Sequence, residues 1–192
     1  MKLMCWLRDY SLFAESKEVL DSLKLLVNHD NWDYYVDEVL LEEIDYEEQE
    51  SYKHRAIDIK CLFPNYSYYG HGCSRVVIGK NDLIFKLPLT GTEIDCNRKE
   101  LDLYHFVNQN KVSKGQMLLK PLGHVVDKVG TVVCIVYKRC CKVEFIDNVY
   151  DKEINDFINS LESHDVYLVD VNRECNLGLL YGNLKIIDYA EY

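Results

Sequence analysis

Apolar residues recur at helical spacing between Ser16 and Val27, where Val19, Leu20, Leu23, Leu26 and Val27 form one stripe. A second set within Trp32 to Tyr46 (Tyr35, Val36, Val39, Leu40 and Ile44) behaves the same way, and the polar stretch Asn28 to Asn31 between them is short enough for a helix-helix turn. An amphipathic helix pair is predicted. After about residue 60 the texture shortens to β-rich runs, Ser74 to Ile78, Leu83 to Leu87, and Val125 to Val136 broken by a turn at Lys128 to Gly130, which read as antiparallel strands. Helical spacing returns in Asn97 to Val107 (Leu101, Tyr104, Val107) and in Tyr150 to Ser163 (Ile154, Phe157, Ile158, Leu161). Val166, Leu168 and Asp170 then alternate, and Leu177 to Leu180 and Leu184 to Ile187 flank Tyr181, Gly182 and Asn183 as a hairpin. The order is helix pair, two strands, helix, strand pair, helix and hairpin, an α+β chain without internal repeats.

A length of 192 residues suits one domain with one substantial core, and 48% hydrophobic residues with 9 Gly and 3 Pro argue against disorder. The net charge of −10 is unevenly spread, since residues 1–60 hold 15 acidic side chains against 7 basic ones. Between Asp37 and Glu50 there are eight acidic side chains and no basic one. That stretch repels phosphate backbones, so direct nucleic acid binding is not expected; it reads as a solvated helix face or as a surface for a basic protein. Eight irregularly spaced cysteines with no C-x-x-C pair predict reduced thiols rather than disulfides or a zinc site. No run of 18 apolar residues occurs, and the opening Met1 to Leu7 is too short for a targeting segment, so a soluble cytoplasmic protein without membrane contact is expected.

Candidate chemistry gathers in two places. Gly70-His71-Gly72-Cys73-Ser74-Arg75 precedes the strand Val76-Val77-Ile78, and glycines at a strand start let backbone N–H groups approach phosphate oxygens; a plain flexible turn is the competing reading. In the next strand Lys86 follows Ile84 and Phe85, and a buried ammonium there would need an anionic partner such as Glu100 of the following helix. An edge-strand lysine in solvent is the alternative. At the other end, Asp170-Val171-Asn172-Arg173-Glu174-Cys175-Asn176 runs into the hairpin that ends Ile187-Asp188-Tyr189. Two carboxylates and an amide oxygen brought together by a hairpin make an oxygen-rich site suited to Mg²⁺. The six histidines form no pair with metal spacing, and no G-x-S-x-G elbow or Cys-His signature is present.

This succession of glycine loop, strand lysine, helix glutamate, catalytic aspartate, asparagine and metal aspartate, over about Tyr68 to Tyr192, resembles the protein kinase superfamily. Its "N-x-G, then I-D-Y" ending is similar to that of small kinase-like proteins of bacteriophages, including the seryl-threonyl kinases of T7-like phages. The resemblance implies a truncated kinase-like fold, with an antiparallel N-lobe sheet, helix C and a reduced C-lobe. Residues 1–60 would be an acidic helical N-terminal segment and residues 61–192 a minimal kinase-like core. It implies ATP and Mg²⁺ as cofactors, Gly70 and Gly72 over the phosphates, Lys86 as phosphate clamp and Glu100 as its orienter. Tyr137 would lie in the hinge beside the adenine, Asp170 would be the catalytic base, and Asn176 and Asp188 the metal ligands. The partner implied is a host protein bearing the accepting hydroxyl, in the host cytoplasm if the protein is viral.

The sequence also departs from the family pattern. Arg75 replaces the third glycine, five residues rather than four separate Asp170 from Asn176, and Leu168 and Asn172 stand where kinases carry His and Lys. Tyr189-Ala190 replaces Phe-Gly after Asp188. With the sequence ending at Tyr192, no activation segment is expected. Two functions therefore remain open: a Mg-ATP phosphotransferase, and a pseudokinase or acidic binding protein that inhibits a host factor without catalysis.

Overall fold

The computed structural model describes residues 3–40, 49–91, 94–143, 148–169, 171 and 173–189. Two compact units are formed, one from residues 1–98 and 121–137, the other from residues 99–120 and 138–192. Each encloses its own apolar cluster, in place of the one core expected from length.

The first unit is built on a seven-stranded sheet. Its strands are β1 (Leu3–Leu7), β2 (Tyr10–Ala14), β3 (Ser67–His71), β4 (Arg75–Lys80), β5 (Leu83–Pro88), β6 (Gly123–Val126) and β7 (Val132–Lys138), in the order β1-β2-β6-β7-β5-β4-β3. The ladders from β1 through β2 and β6 to β7, and those from β3 through β4 to β5, are antiparallel. Helices α1 (Lys17–Val27), α2 (Trp32–Tyr34, continued by a π-helical turn over Tyr35–Val39) and α3 (Gln49–Leu62) accompany it. Val19, Leu23, Leu26 and Val27 of α1, Tyr35 and Val39 of the π turn, and Ala56 and Ile59 of α3 share one cluster with Val76, Ile78, Phe85, Leu87, Val125 and Cys134 of the sheet.

Local chemistry explains where these helices begin and turn. Ser16 caps α1, its hydroxyl accepting from the Val19 N–H at 3.3 Å, which satisfies a donor that the first turn leaves orphaned. The second predicted helix departs from α geometry after one turn. The Leu40 N–H donates to the Tyr35 carbonyl five residues back, and the Tyr35 hydroxyl, wholly buried, donates to the Pro88 carbonyl at 2.8 Å. The remainder of that helix, from residue 41, and most of the acidic stretch Asp37 to Glu50 lie outside the described residues.

Several elements were not legible in the sequence pattern, and the strands β1 and β2 correct the reading of residues 1–60 as purely helical. β1 and β2 form a hairpin closed by Leu7 opposite Tyr10, with Arg8 at φ 53° in the turn. Helix α3 is largely polar and, among residues 51–62, buries only Ala56 and Ile59, with Phe63 just beyond it, so its stripe is too narrow to stand out. Strand β3 is short, largely exposed and bulged between Tyr68 and Gly70. Edge strands with a bulge carry little apolar alternation because one side faces water.

The second unit contains helix α5 (Asn148–Glu162), a three-stranded sheet of β8 (Cys141–Lys142), β9 (Leu177–Leu180) and β10 (Asn183–Ile186) in the order β10-β9-β8, and most of helix α4 (Ile94–Gln109). Its cluster combines Leu103 and Val107 of α4, Ile154, Phe157 and Leu161 of α5, and Leu177, Leu184, Ile186 and Tyr189 around the terminal hairpin. The alternation of Val166 and Leu168 makes no strand; both pack as partly buried side chains on this cluster. All eight cysteines are free thiols, and among the described residues no helix is long and apolar enough to cross a membrane.

Two measurements test this packing. A Cβ on Gly123 would stand 2.6 Å from the Phe13 carbonyl oxygen and 2.9 Å from Val19 Cγ1, so Gly123→Ala should lower stability in urea unfolding by about 1–3 kcal/mol. Burial pushes the Tyr66 phenol up from its ordinary 10.0 to about 12, with Cys134 adding to the effect. Between these values the folded chain holds a proton that the unfolded chain has lost, so the contribution is complete below pH 10 and declines as pH rises toward 12. Melting temperature should fall over that window, and Tyr66→Phe should make the fall shallower.

Candidate functional site

In the first unit the glycine segment is the turn of the β3–β4 hairpin. Gly70 sits at φ +141°, a backbone conformation that favours glycine, at the bulge of β3. Gly72 has no such requirement, and a Cβ there would meet nothing within 4 Å. Its N–H donates to the Arg75 carbonyl at 2.9 Å, so this donor is engaged inside the turn.

Lys86 lies on β5, which runs between β4 and β7 and is therefore not an edge. This disposes of the solvent-lysine alternative, for the side chain is only 4% exposed. Its ammonium stands 5.2 Å from the centre of the Tyr137 ring, and Tyr137, near the end of β7, is wholly buried. A cation over an aromatic face in a desolvated setting gains on the order of 2 kcal/mol. Val77 is the residue directly opposite Lys86 on β4.

Two further residues stand next to this lysine: Arg75, noted in the sequence only as a departure from the glycine pattern, and Asn97, which the sequence did not single out. Asn97, wholly buried at the start of α4, donates through its amide to the Val132 carbonyl at 3.2 Å and to the Lys86 carbonyl at 3.5 Å. Its Oδ1 accepts from Arg75 Nη1 at 3.5 Å, and Arg75 is itself 4% exposed. The available signal was Arg75, a charged residue at the start of the run Val76, Val77 and Ile78.

In the second unit the terminal hairpin forms with a two-residue turn, Leu177 opposite Ile186 and Leu180 opposite Asn183, so Asn183, expected in the turn, opens the second strand and Ile187 lies beyond it. Beyond the ladder the Ile187 N–H donates to the Asn176 carbonyl at 2.8 Å. That bond keeps Asn176 and Asp188 at the same open end of the hairpin. Asn176 ends a 3₁₀ turn whose N–H bonds back to the Arg173 carbonyl at 2.8 Å, and its Oδ1 accepts from the Cys175 thiol at 3.5 Å. Asp170, the expected base, lies outside the described residues, whereas its neighbour Val171 is buried in the cluster.

Glu100 is wholly buried on α4, and its Oε1 accepts from the Tyr189 N–H at 3.2 Å. The Tyr189 hydroxyl in turn donates to the Leu119 carbonyl at 2.8 Å. The residue following Asp188 is thus pinned at both its backbone and its side chain. Among the described residues no group of three or more His, Cys, Asp or Glu side chains could hold a metal ion, so a cation here would have to draw on the amide oxygen as well as on carboxylates.

Removing the Tyr189 hydroxyl leaves a carbonyl without its buried donor, so Tyr189→Phe should cost about 1–3 kcal/mol in urea unfolding. No protein-family model, curated protein or solved structure matches the chain, and the site stands on its own geometry.

Proposed function

We propose that the chain binds a magnesium complex of ATP and transfers the terminal phosphoryl group to a hydroxyl of a host protein, through a reduced protein-kinase-like arrangement. The observation that carries this reading is the pairing of Asn176 with the Ile187-Asp188 step across the terminal hairpin. An amide oxygen and a carboxylate at one end of a hairpin form the kind of hard-oxygen pair that a kinase offers to Mg²⁺.

The first unit adds support of its own. β3, β4 and β5 form a meander with the glycines in its first turn and a buried lysine on its third strand, followed in the chain by α4. Protein kinases place their glycine loop, phosphate-pairing lysine and glutamate-bearing helix in this succession. The protein's task in such chemistry is to hold phosphates, metal and acceptor in line, since the transferred group carries most of its charge on oxygens that need only positioning and neutralisation. In this reading Lys86 pairs with phosphate, Asn176 and Asp188 hold the metal, and Asp170 orients the attacking hydroxyl.

Mg-ATP should raise the melting temperature of the wild-type chain, and [γ-³²P]ATP should label a protein in host lysate. Lys86→Met should abolish the thermal shift, and Asp188→Asn should remove its magnesium dependence. Labelling that persists unchanged in Asp170→Asn would show that this aspartate takes no part. A wild-type chain whose melting responds neither to ATP nor to Mg²⁺ would leave the non-catalytic reading, capture of a host factor, as the better one.

A further inference from the structure

β1 ends the seven-stranded sheet and, among the described residues, pairs with β2 alone, so its other side is an open edge. The two-residue turn Arg8-Asp9 makes Leu7 and Tyr10 a hydrogen-bonded pair, and alternation along the ladder does the same for Cys5 with Leu12 and Leu3 with Ala14. Glu15, just past β2, agrees with this phase: its N–H donates to the Leu122 carbonyl on the β6 side, so the even-numbered residues of β2 are the ones that bond β1. Met4 and Trp6 therefore turn their N–H and C=O groups toward the open side. Among the described residues these groups meet no backbone partner there, and the Trp6 carbonyl receives only the Cys5 thiol, a weak donor, at 3.5 Å.

The side chains along this edge are apolar. Cys5 and Leu7 pack against the core of the first unit, whereas Met4 and Trp6 project from the other face and are 52% and 70% exposed. Met4 stands opposite Phe13 and Phe13 opposite His124, whose rings stack at 4.6 Å, so the strip continues inward across three strands. No residue from Leu3 to Leu7 is charged, and Arg8, which follows them, is held by Asp33 at 2.7 Å. Sheet edges that stay in water are ordinarily protected by charge, proline or a bulge. The opposite edge, β3, is bulged between Tyr68 and Gly70, while β1 has none of these devices.

We propose that β1 pairs antiparallel with β1 of a second copy of this chain, about a two-fold axis at Cys5, joining two sheets edge to edge. In that register Met4 exchanges both backbone bonds with Trp6 of the other copy, and Trp6 does the same with Met4. The neighbouring two-fold registers would set one of the two against residue 2 or Arg8, outside the strand. A two-fold contact requires a surface complementary to itself. An uncharged strand whose two outward residues sit symmetrically about Cys5 meets that condition, and it brings each Met4 thioether beside an indole, a favourable contact. The two Cys5 residues become a non-hydrogen-bonded pair with Cα atoms about 4.5 Å apart, close enough for a disulfide. The pairing is independent of nucleotide binding.

Sedimentation equilibrium of the full chain in reducing buffer, over a range of concentrations, should show a monomer–dimer equilibrium that shifts to monomer on dilution, as small interfaces do. Trp6→Lys should raise the dissociation constant by about tenfold or more. Its melting temperature in dilute solution should match wild type, because position 6 is already in water. A second measurement needs no variant at Trp6. Diamide, which takes two electrons and two protons from a pair of thiols, should link wild-type chains through Cys5, as read by mass spectrometry of unreduced peptides, and Cys5→Ser should lose that link while still forming the dimer. A wild-type chain that is monomeric at every concentration overturns the pairing and leaves the edge to a strand of another protein. A dimer that Trp6→Lys leaves intact and that links through cysteines other than Cys5 also overturns it, by placing the interface elsewhere.

Discussion

A charged ammonium in the middle of a sheet constrains everything around it. Lys86 is enclosed because β5 runs between β4 and β7, and a cation so placed is tolerated only where electron-rich or anionic groups meet it. The Tyr137 ring is one such group. Asn97 ties the backbone together at this point, joining the start of α4 to the carbonyls of β5 and β7. Apolar packing of the opposite face against α1, the π turn and α3 keeps those strands in place, so the core and the polar face depend on the same ladder.

The second unit solves a similar problem with a carboxylate. Glu100 is fully buried and receives the backbone N–H of Tyr189, and a charge-assisted bond of this kind is stronger than a neutral one. Tyr189 then reaches the Leu119 carbonyl through its hydroxyl. Between Glu100 on one side and the Ile187 to Asn176 bond on the other, the backbone at Asp188 has little freedom.

Both units thus bury polar or charged groups, Arg75, Lys86 and Asn97 in the first and Glu100 in the second, at a cost in desolvation that apolar residues would not carry. Arg75 extends the same logic. Its side chain faces the same side of the sheet as Lys86 although a Val or Gly at that position would be cheaper to bury.

Much of this was readable from residues alone, and the part that was not has a consistent cause. Period and alternation identified α1, α4, α5, β4 to β7 and the terminal hairpin, because each buries a broad stripe or lies between turn residues such as Tyr181-Gly182. The hairpin of β1 and β2, the narrow-striped α3 and the bulged β3 escaped, since their placement comes from pairing with distant strands and from a few buried side chains. Lys86, Glu100, Asn176 and Asp188 stood out by type and spacing, but whether Lys86 faced water depended on strand order, which no local pattern encodes. The burial of Arg75 and its bond to Asn97 became visible only once β4 lay against β5 and α4 met both β5 and β7. Sequence determined which segments could be helix or strand and which side chains were candidates for chemistry. Tertiary structure decided which of them are buried and adjacent, because burial and proximity arise from contacts between residues far apart in the chain.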